Sequence, residues 1–291
     1  MLKRFRFVLR LLLILGFSAT LLAQEVKDVY FPHVPGSYWV YEDQDGNELT
    51  RSAVEKKEIE GEMYHAFTYE PTLEDWINYD YHIHPSFYKV GEEKVTFWVG
   101  DEAQEAVKAR LAKEMGDLRT ILQLMMEEFD LLYEIEVETE DSFYVLPTSV
   151  TANEAWEAMQ IKAKITMRAD PPQDPEEIIL EFTIVETGKV LGTEDVETPA
   201  GTFENCLKIE YRTETKVETS PPNQDTNPPG ESVTTLWVAP KVGIVKFHQK
   251  AEDIVLKALP PPPHPLFKVS TTVRTLELKK YEVKPTDSGG Q

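Results

Sequence analysis

The chain has 291 residues and carries 51 Asp and Glu against 30 Lys and Arg, a formal net charge of −21. That excess of anions repels phosphate backbones and anionic lipid surfaces, and it argues against a nucleic-acid partner. Cys206 is the single cysteine, which excludes an internal disulfide framework, so a hydrophobic core must hold the fold.

Residues 1–23 read as an export signal. Lys3, Arg4, Arg6 and Arg10 make a basic head, and Leu11 to Leu22 make an apolar run. That run is shorter than the roughly 20 residues of a membrane span. The mature chain is expected to begin near Gln24 and to lie in the periplasm or outside the cell. An uncleaved signal would be its one tie to a membrane.

Residues 24–284 read as a single β-rich domain. Ser37 to Asp43 and Glu48 to Lys57 form a predicted hairpin about Asp45-Gly46. The run Asp43 to Glu48 has the composition of a calcium-loop fragment, but its Gly and Glu are wrongly spaced for one. Met63 to Tyr69, Trp76 to Val90 and Lys94 to Val99 continue as strands. The period then changes. Val107, Leu111, Met115, Leu118, Leu122, Met125 and Phe129 recur at steps of three and four, which predicts a helix over 102–132, ~45 Å long. Asp101 with Gln104 is the expected capping pair.

Strands resume at Glu134 to Leu146, Trp156 to Arg168, Ile178 to Asp195 and Phe203 to Thr219. Pro147 to Trp156 weakly repeats the pattern of Pro32 to Trp39, each with a Pro, a turn and a Trp that opens a strand. Ser232 to Val238 and Ile244 to Gln249 make a further hairpin. Phe267 to Val283 is a last strand with Val269, Thr271, Val273 and Thr275 on one face. Prolines stiffen the loops at 170–175, 220–230 and 260–265. The polar tail 285–291 is expected to be disordered.

Two turns carry the most information. Thr198-Pro199-Ala200-Gly201 suits a type I turn, with Pro at the second position and Gly at the fourth. Ala239-Pro240-Lys241-Val242-Gly243 repeats that logic between two strands. Read together, "TPAGTF", "NCLKI" and "WVAPKVGIVK" resemble the C-terminal half of bacterial secreted proteins of the TapB and DUF3108-like type. Tyr30 to Tyr41 fits the phrase P-x-x-x-G-x-x-W-x-Y that opens many such proteins. The resemblance covers roughly residues 30–60 and 185–250. It implies an extracytoplasmic β-rich module, with Pro199, Gly201, Phe203, Cys206, Trp237, Pro240 and Gly243 as its structural signature. No catalytic residues come with it. Phe203 and Trp237 are expected in the core beside the turns, and Cys206 as a small buried residue.

Chemistry is harder to find. His82 and His84 share a strand face, with His65 on a neighbouring strand, but no ligand spacing supports a metal site. There is no Gly-x-Ser-x-Gly elbow and no phosphate loop. No catalytic, cofactor or metal residue is assigned. Aromatics crowd the first hundred residues, among them Trp39, Tyr41, Trp76, Tyr79, Tyr81, Phe87, Phe97 and Trp98.

The expected architecture is a bent antiparallel sheet or half-barrel, with the long amphipathic helix packed on its apolar face. That plan is similar to the open barrel and helical lid of LolA-like lipoprotein carriers. Two functions suit it. One is an exported, non-enzymatic binding or carrier module for an apolar small molecule, lined by Trp39, Trp98, Met115, Leu122, Met125 and Phe129. The other is an envelope scaffold that binds another envelope protein and holds no small ligand. An exported hydrolase is a third, more distant reading.

Overall fold

A computed structural model describes residues 30–71, 85–126, 128–148, 153–173, 175–222, 226–260 and 265–285. The export signal, Trp76, Tyr79, Tyr81, His82, His84 and the tail beyond Pro285 lie outside the described residues, as does most of the proline run at 260–265.

Among the described residues, thirteen strands form one open antiparallel sheet. The N-terminal strands are β1 (Tyr38–Asp43), β2 (Glu48–Ile59), β3 (Glu62–Glu70), β4 (Phe87–Val90) and β5 (Lys94–Trp98). After the helix come β6 (Asp130–Thr139), β7 (Ser142–Pro147), β8 (Ala155–Asp170), β9 (Ile178–Thr198) and β10 (Gly201–Ser220). The last three are β11 (Ser232–Ala239), β12 (Gly243–Glu252) and β13 (Thr271–Glu282). Their order is β6-β8-β9-β10-β11-β12-β13-β1-β2-β3-β4-β5-β7. The two halves of the chain are thus zipped together by β1 and β13, where Trp39 faces Tyr281.

The expected single strand from Glu134 to Leu146 is two strands, broken at Glu140-Asp141. Its halves lie at opposite edges of the sheet: β6 pairs with β8, and β7 pairs with β5. A two-residue link between opposite edges requires the sheet to curl until those edges approach. The backbone ladder between β7 and β8 nevertheless stays open, and side chains bridge the gap. Trp156 Nε1 donates to the carbonyl of Tyr144 at 3.0 Å, and the Tyr211 hydroxyl donates to Val145 at 2.7 Å. Both carbonyls lie on the outermost strand, and side-chain donors of this kind blunt an edge that would otherwise recruit another strand.

The helix, α1, runs from Gly100 to Met125. It starts without a side-chain cap, so the Asp101–Gln104 pair does not act as expected. The carbonyl of Asp141 takes that role, accepting from the amides of Val99 and Gly100 at 2.9 and 3.1 Å. The stripe buries Ala103, Leu111, Glu114, Met115, Leu118 and Ile121. The helix ends seven residues before the expected 132, because the chain from Asp130 onward pairs along its whole length with β8. There Leu131, Ile135 and Val137 point inward at a period of two. Asp130 anchors the reversal by accepting two hydrogen bonds from Arg119, at 2.6 and 2.5 Å. A short second helix, α2 (Val255–Ala258), follows β12 and lies against α1.

Strand β13 is shorter than expected and shows its other face to the core. Leu276 and Leu278 are buried, whereas Val269 and Val273 are exposed.

Candidate functional site

The two signature motifs, far apart in sequence, meet in space. Trp39 Nε1 donates to the carbonyl of Val242 at 2.6 Å, and the Tyr41 hydroxyl donates to Ile244 at 3.0 Å. The W-x-Y phrase of β1 therefore holds the Pro240–Gly243 turn between β11 and β12. That turn needs left-handed backbone: Lys241 has φ 65° and Gly243 has φ 95°. A Cβ on Gly243 would also touch the ring of Pro32 at 3.4 Å. The Pro199-Ala200 turn is tied to the same region, since the Ala200 amide donates to Leu278 of β13 at 3.0 Å. Phe203 and Cys206 are buried beside it, on either side of a bulge at Glu204-Asn205. Cys206 is fully buried, and burial pushes its thiol up to about 11, so it stays protonated in ordinary buffers.

Trp237 departs from expectation. It lies on the outer face of β11, half-buried, and donates to Glu194 Oε1 at 2.5 Å. The ammonium groups of Lys208 and Lys246 stand 5.2 and 5.8 Å from its ring. Its neighbours Leu236 and Val238 take the inward positions, so the strand period turns the indole to the solvent side. The indole still packs on the core from that side, so Trp237→Ala is expected to cost about 1–2 kcal/mol in denaturant melts, less than the ~3–5 kcal/mol of a fully buried ring.

Behind Trp39 lies a buried cation. Arg51 packs its guanidinium 3.6 Å over the Phe67 ring and 5.4 Å from the Trp39 ring. Burial pushes the Tyr41 hydroxyl up to about 12, against the opposing pull of Arg51, so the phenol stays a donor.

Of the six residues expected to line a ligand cavity, four are placed in or against the core. Trp39 and Met115 are within it, and Leu122 and Phe129 pack on it. Trp98 is half-buried, edge-on to Tyr64 at 5.9 Å, and Met125 is half-buried near the end of α1. Glu114 is not among the expected site residues. It occupies the apolar stripe, and its carboxylate accepts from the amides of Ile254, Val255 and Leu256 at 2.9, 2.6 and 3.1 Å. An acidic residue three places after Leu111 and four before Leu118 was the available signal.

A cleft of about 510 Å³ opens beside the gap between β7 and β8. Glu92, Glu93, Tyr144, Pro147, Thr148, Glu154, Ala155 and Trp156 line it. The Tyr144 hydroxyl is raised by burial first, then by the nearby charges of Glu93 and Glu154. None of the six residues expected to line a cavity lies here.

Of the histidines considered for metal, only His65 lies within the described residues. Its ring lies against that of His33, with centroids 3.6 Å apart and planes tilted by 38°. Burial, then His33 and Lys56, lower its imidazole to about 3, so it is neutral in ordinary buffers. Among the described residues, no three His, Cys, Asp or Glu side chains stand where they could hold an ion.

Residues 107–252 match the model of a protein family described as DUF3108-like. No curated protein matches the sequence. Two solved structures are similar over 87% of this chain and 99% of their own, each at 14% identity. One is a protein of Parabacteroides distasonis provisionally described as a lipoprotein, with a TM-score of 0.36. The other is a protein of Bacteroides fragilis provisionally described as exported, with a YmcC-like fold and a TM-score of 0.35.

Proposed function

This chain belongs to the DUF3108-like family, and we propose that it is an exported, non-enzymatic module of the bacterial envelope that acts as an interaction scaffold. Export rests on the basic and apolar run of residues 1–23. N-terminal sequencing of the extracytoplasmic fraction is expected to begin near Gln24. An intact Met1 on cytoplasmic protein would overturn that part of the reading.

The observation that carries the scaffold reading is the fastening of α1. Glu114, itself 2% exposed, grips three consecutive backbone amides at the start of α2. Met115 beside it is fully buried. A lid that opens for a lipid would have to release those amides and strip Met115 from the core. Permanent core is the cheaper arrangement. The carrier reading draws its support from the far end of the helix, where Leu124 is 62% exposed, Met126 is exposed and Met125 is half-buried.

Uptake of a fluorescent fatty acid separates the two. The delipidated protein is expected to take up none at micromolar concentration. Saturable uptake that Met125→Gln abolishes, with the melting temperature unchanged, would establish the carrier instead.

A further inference from the structure

The cleft between β7 and β8 is used neither by the core nor by α1. Two of its walls are aromatic. The rings of Tyr144 and Trp156 stand 6.0 Å apart, tilted by 41°. Trp156 is fixed from three sides. Its Nε1 donates to the Tyr144 carbonyl, its edge meets Tyr211 at 6.2 Å and 89°, and its ring covers Gly188. A Cβ on Gly188 would come within 2.4 Å of that ring, so the indole sits there because the glycine is bare. The backbone that carries Glu92 and Glu93, whose side chains are exposed, is fixed too. Thr148 donates from its amide to the Glu93 carbonyl at 2.8 Å and from its hydroxyl to the Glu92 carbonyl at 2.7 Å. That clamps the β4–β5 turn to the end of β7.

Glu92, Glu93 and Glu154 rim this cleft. Among the described residues, none of their carboxylates is hydrogen-bonded or ion-paired. Beside the cleft, Lys94 holds its ammonium 5.0 Å over the Tyr144 ring. The aromatic wall thus already accepts an ammonium supplied by the chain itself. Among the described residues that line the cleft there are three carboxylates and no cation, which leaves it negative. The carboxylates are spread around the rim, and no group of them is placed to coordinate an ion. Hard cations want several oxygens at short range and gain nothing from ring faces. An organic ammonium gains from both. The volume lies in the range of ~300–1,000 Å³ seen for small-molecule sites.

We propose that this cleft binds a linear polyamine, an aliphatic chain with two or more ammonium groups. The Tyr144–Trp156 pair holds its methylenes and one ammonium. Glu92, Glu93 and Glu154 receive the remaining charge.

The test is calorimetric titration of the full chain with spermidine at constant ionic strength. Saturable binding at one site is expected. The double variant Glu93→Gln/Glu154→Gln should weaken it by about tenfold or more, and Tyr144→Leu should weaken it as well. Lys94→Gln should tighten it, because a competing ammonium is removed; a damaged fold would not raise affinity. Circular dichroism of each variant should match the parent. Magnesium at matched ionic strength should not displace spermidine. Non-saturable heats, equal binding by the double variant, or displacement by magnesium would each overturn the proposal, since any of them reduces the effect to the attraction of a polycation for an acidic protein.

Discussion

Replacing Trp39 with alanine is expected to destabilise the protein by about 3–5 kcal/mol in denaturant melts. The ring is 1% exposed and meets Phe67 edge-on at 6.0 Å. Alanine would open a cavity between β1 and the Pro240–Gly243 turn and would orphan the Val242 carbonyl. Trp39→Phe separates these two costs. It keeps most of the apolar volume and loses only the indole N–H, so it should cost about 1–3 kcal/mol. Tyr41 still holds Ile244 in that variant, which keeps the turn in place. A loss below about 1 kcal/mol for Trp39→Ala would mean that the W-x-Y phrase does not anchor the turn. The two motifs would then be neighbours without being coupled.

That coupling could not be read from either motif alone. The turns themselves were legible, because Pro and Gly fix backbone angles over a few residues. The 199–201 and 240–243 turns fall where that chemistry puts them. The hairpin about Asp45-Gly46 does too, with Asp43 Oδ1 accepting from the amides of Asp45 and Asn47 at 2.9 and 2.8 Å. A bent antiparallel sheet with a helix on its apolar face followed from alternation on one side and a 3.6-residue stripe on the other. Facing was less secure. Leu236, Trp237 and Val238 are all apolar, so their pattern does not say which of them points inward. In β13 and just before it, Val269, Thr271 and Val273 are exposed, and Leu276 and Leu278 mark the core.

The end of α1 was missed for a related reason. Phe129 continues the helical stripe by spacing, while Leu131, Ile135 and Val137 equally fit a strand. Local sequence leaves that choice open, and the long ladder with β8 decides it. The cleft was beyond reach for a different reason. Its residues come from a turn at 92–93, the end of β7 and the start of β8, and pairing of β5 with β7 brings the first two together. No short motif records such a juxtaposition.

Glu114→Ala is expected to cost roughly 3 kcal/mol, because it leaves three buried amides at the start of α2 without an acceptor. The loss should depend on pH in a direction that identifies the cause. Burial raises the Glu114 carboxyl above its ordinary 4.5, and it outweighs the opposing pull of the Ile254 and Leu256 amides and of Arg110. Between 4.5 and that raised value, the folded chain keeps a proton that the unfolded chain has released. Stability from this group is therefore fully present at low pH and declines as pH rises through the window. Many other carboxylates titrate in the same range, so the informative quantity is the difference between parent and variant. That difference should be largest near the ordinary carboxyl pKa and smaller near neutrality. Urea melts of both proteins across this range provide the measurement. A difference that grows with pH would show that the amides hold the carboxylate anion, and that capping, not desolvation, governs the contact that fastens α1 to α2.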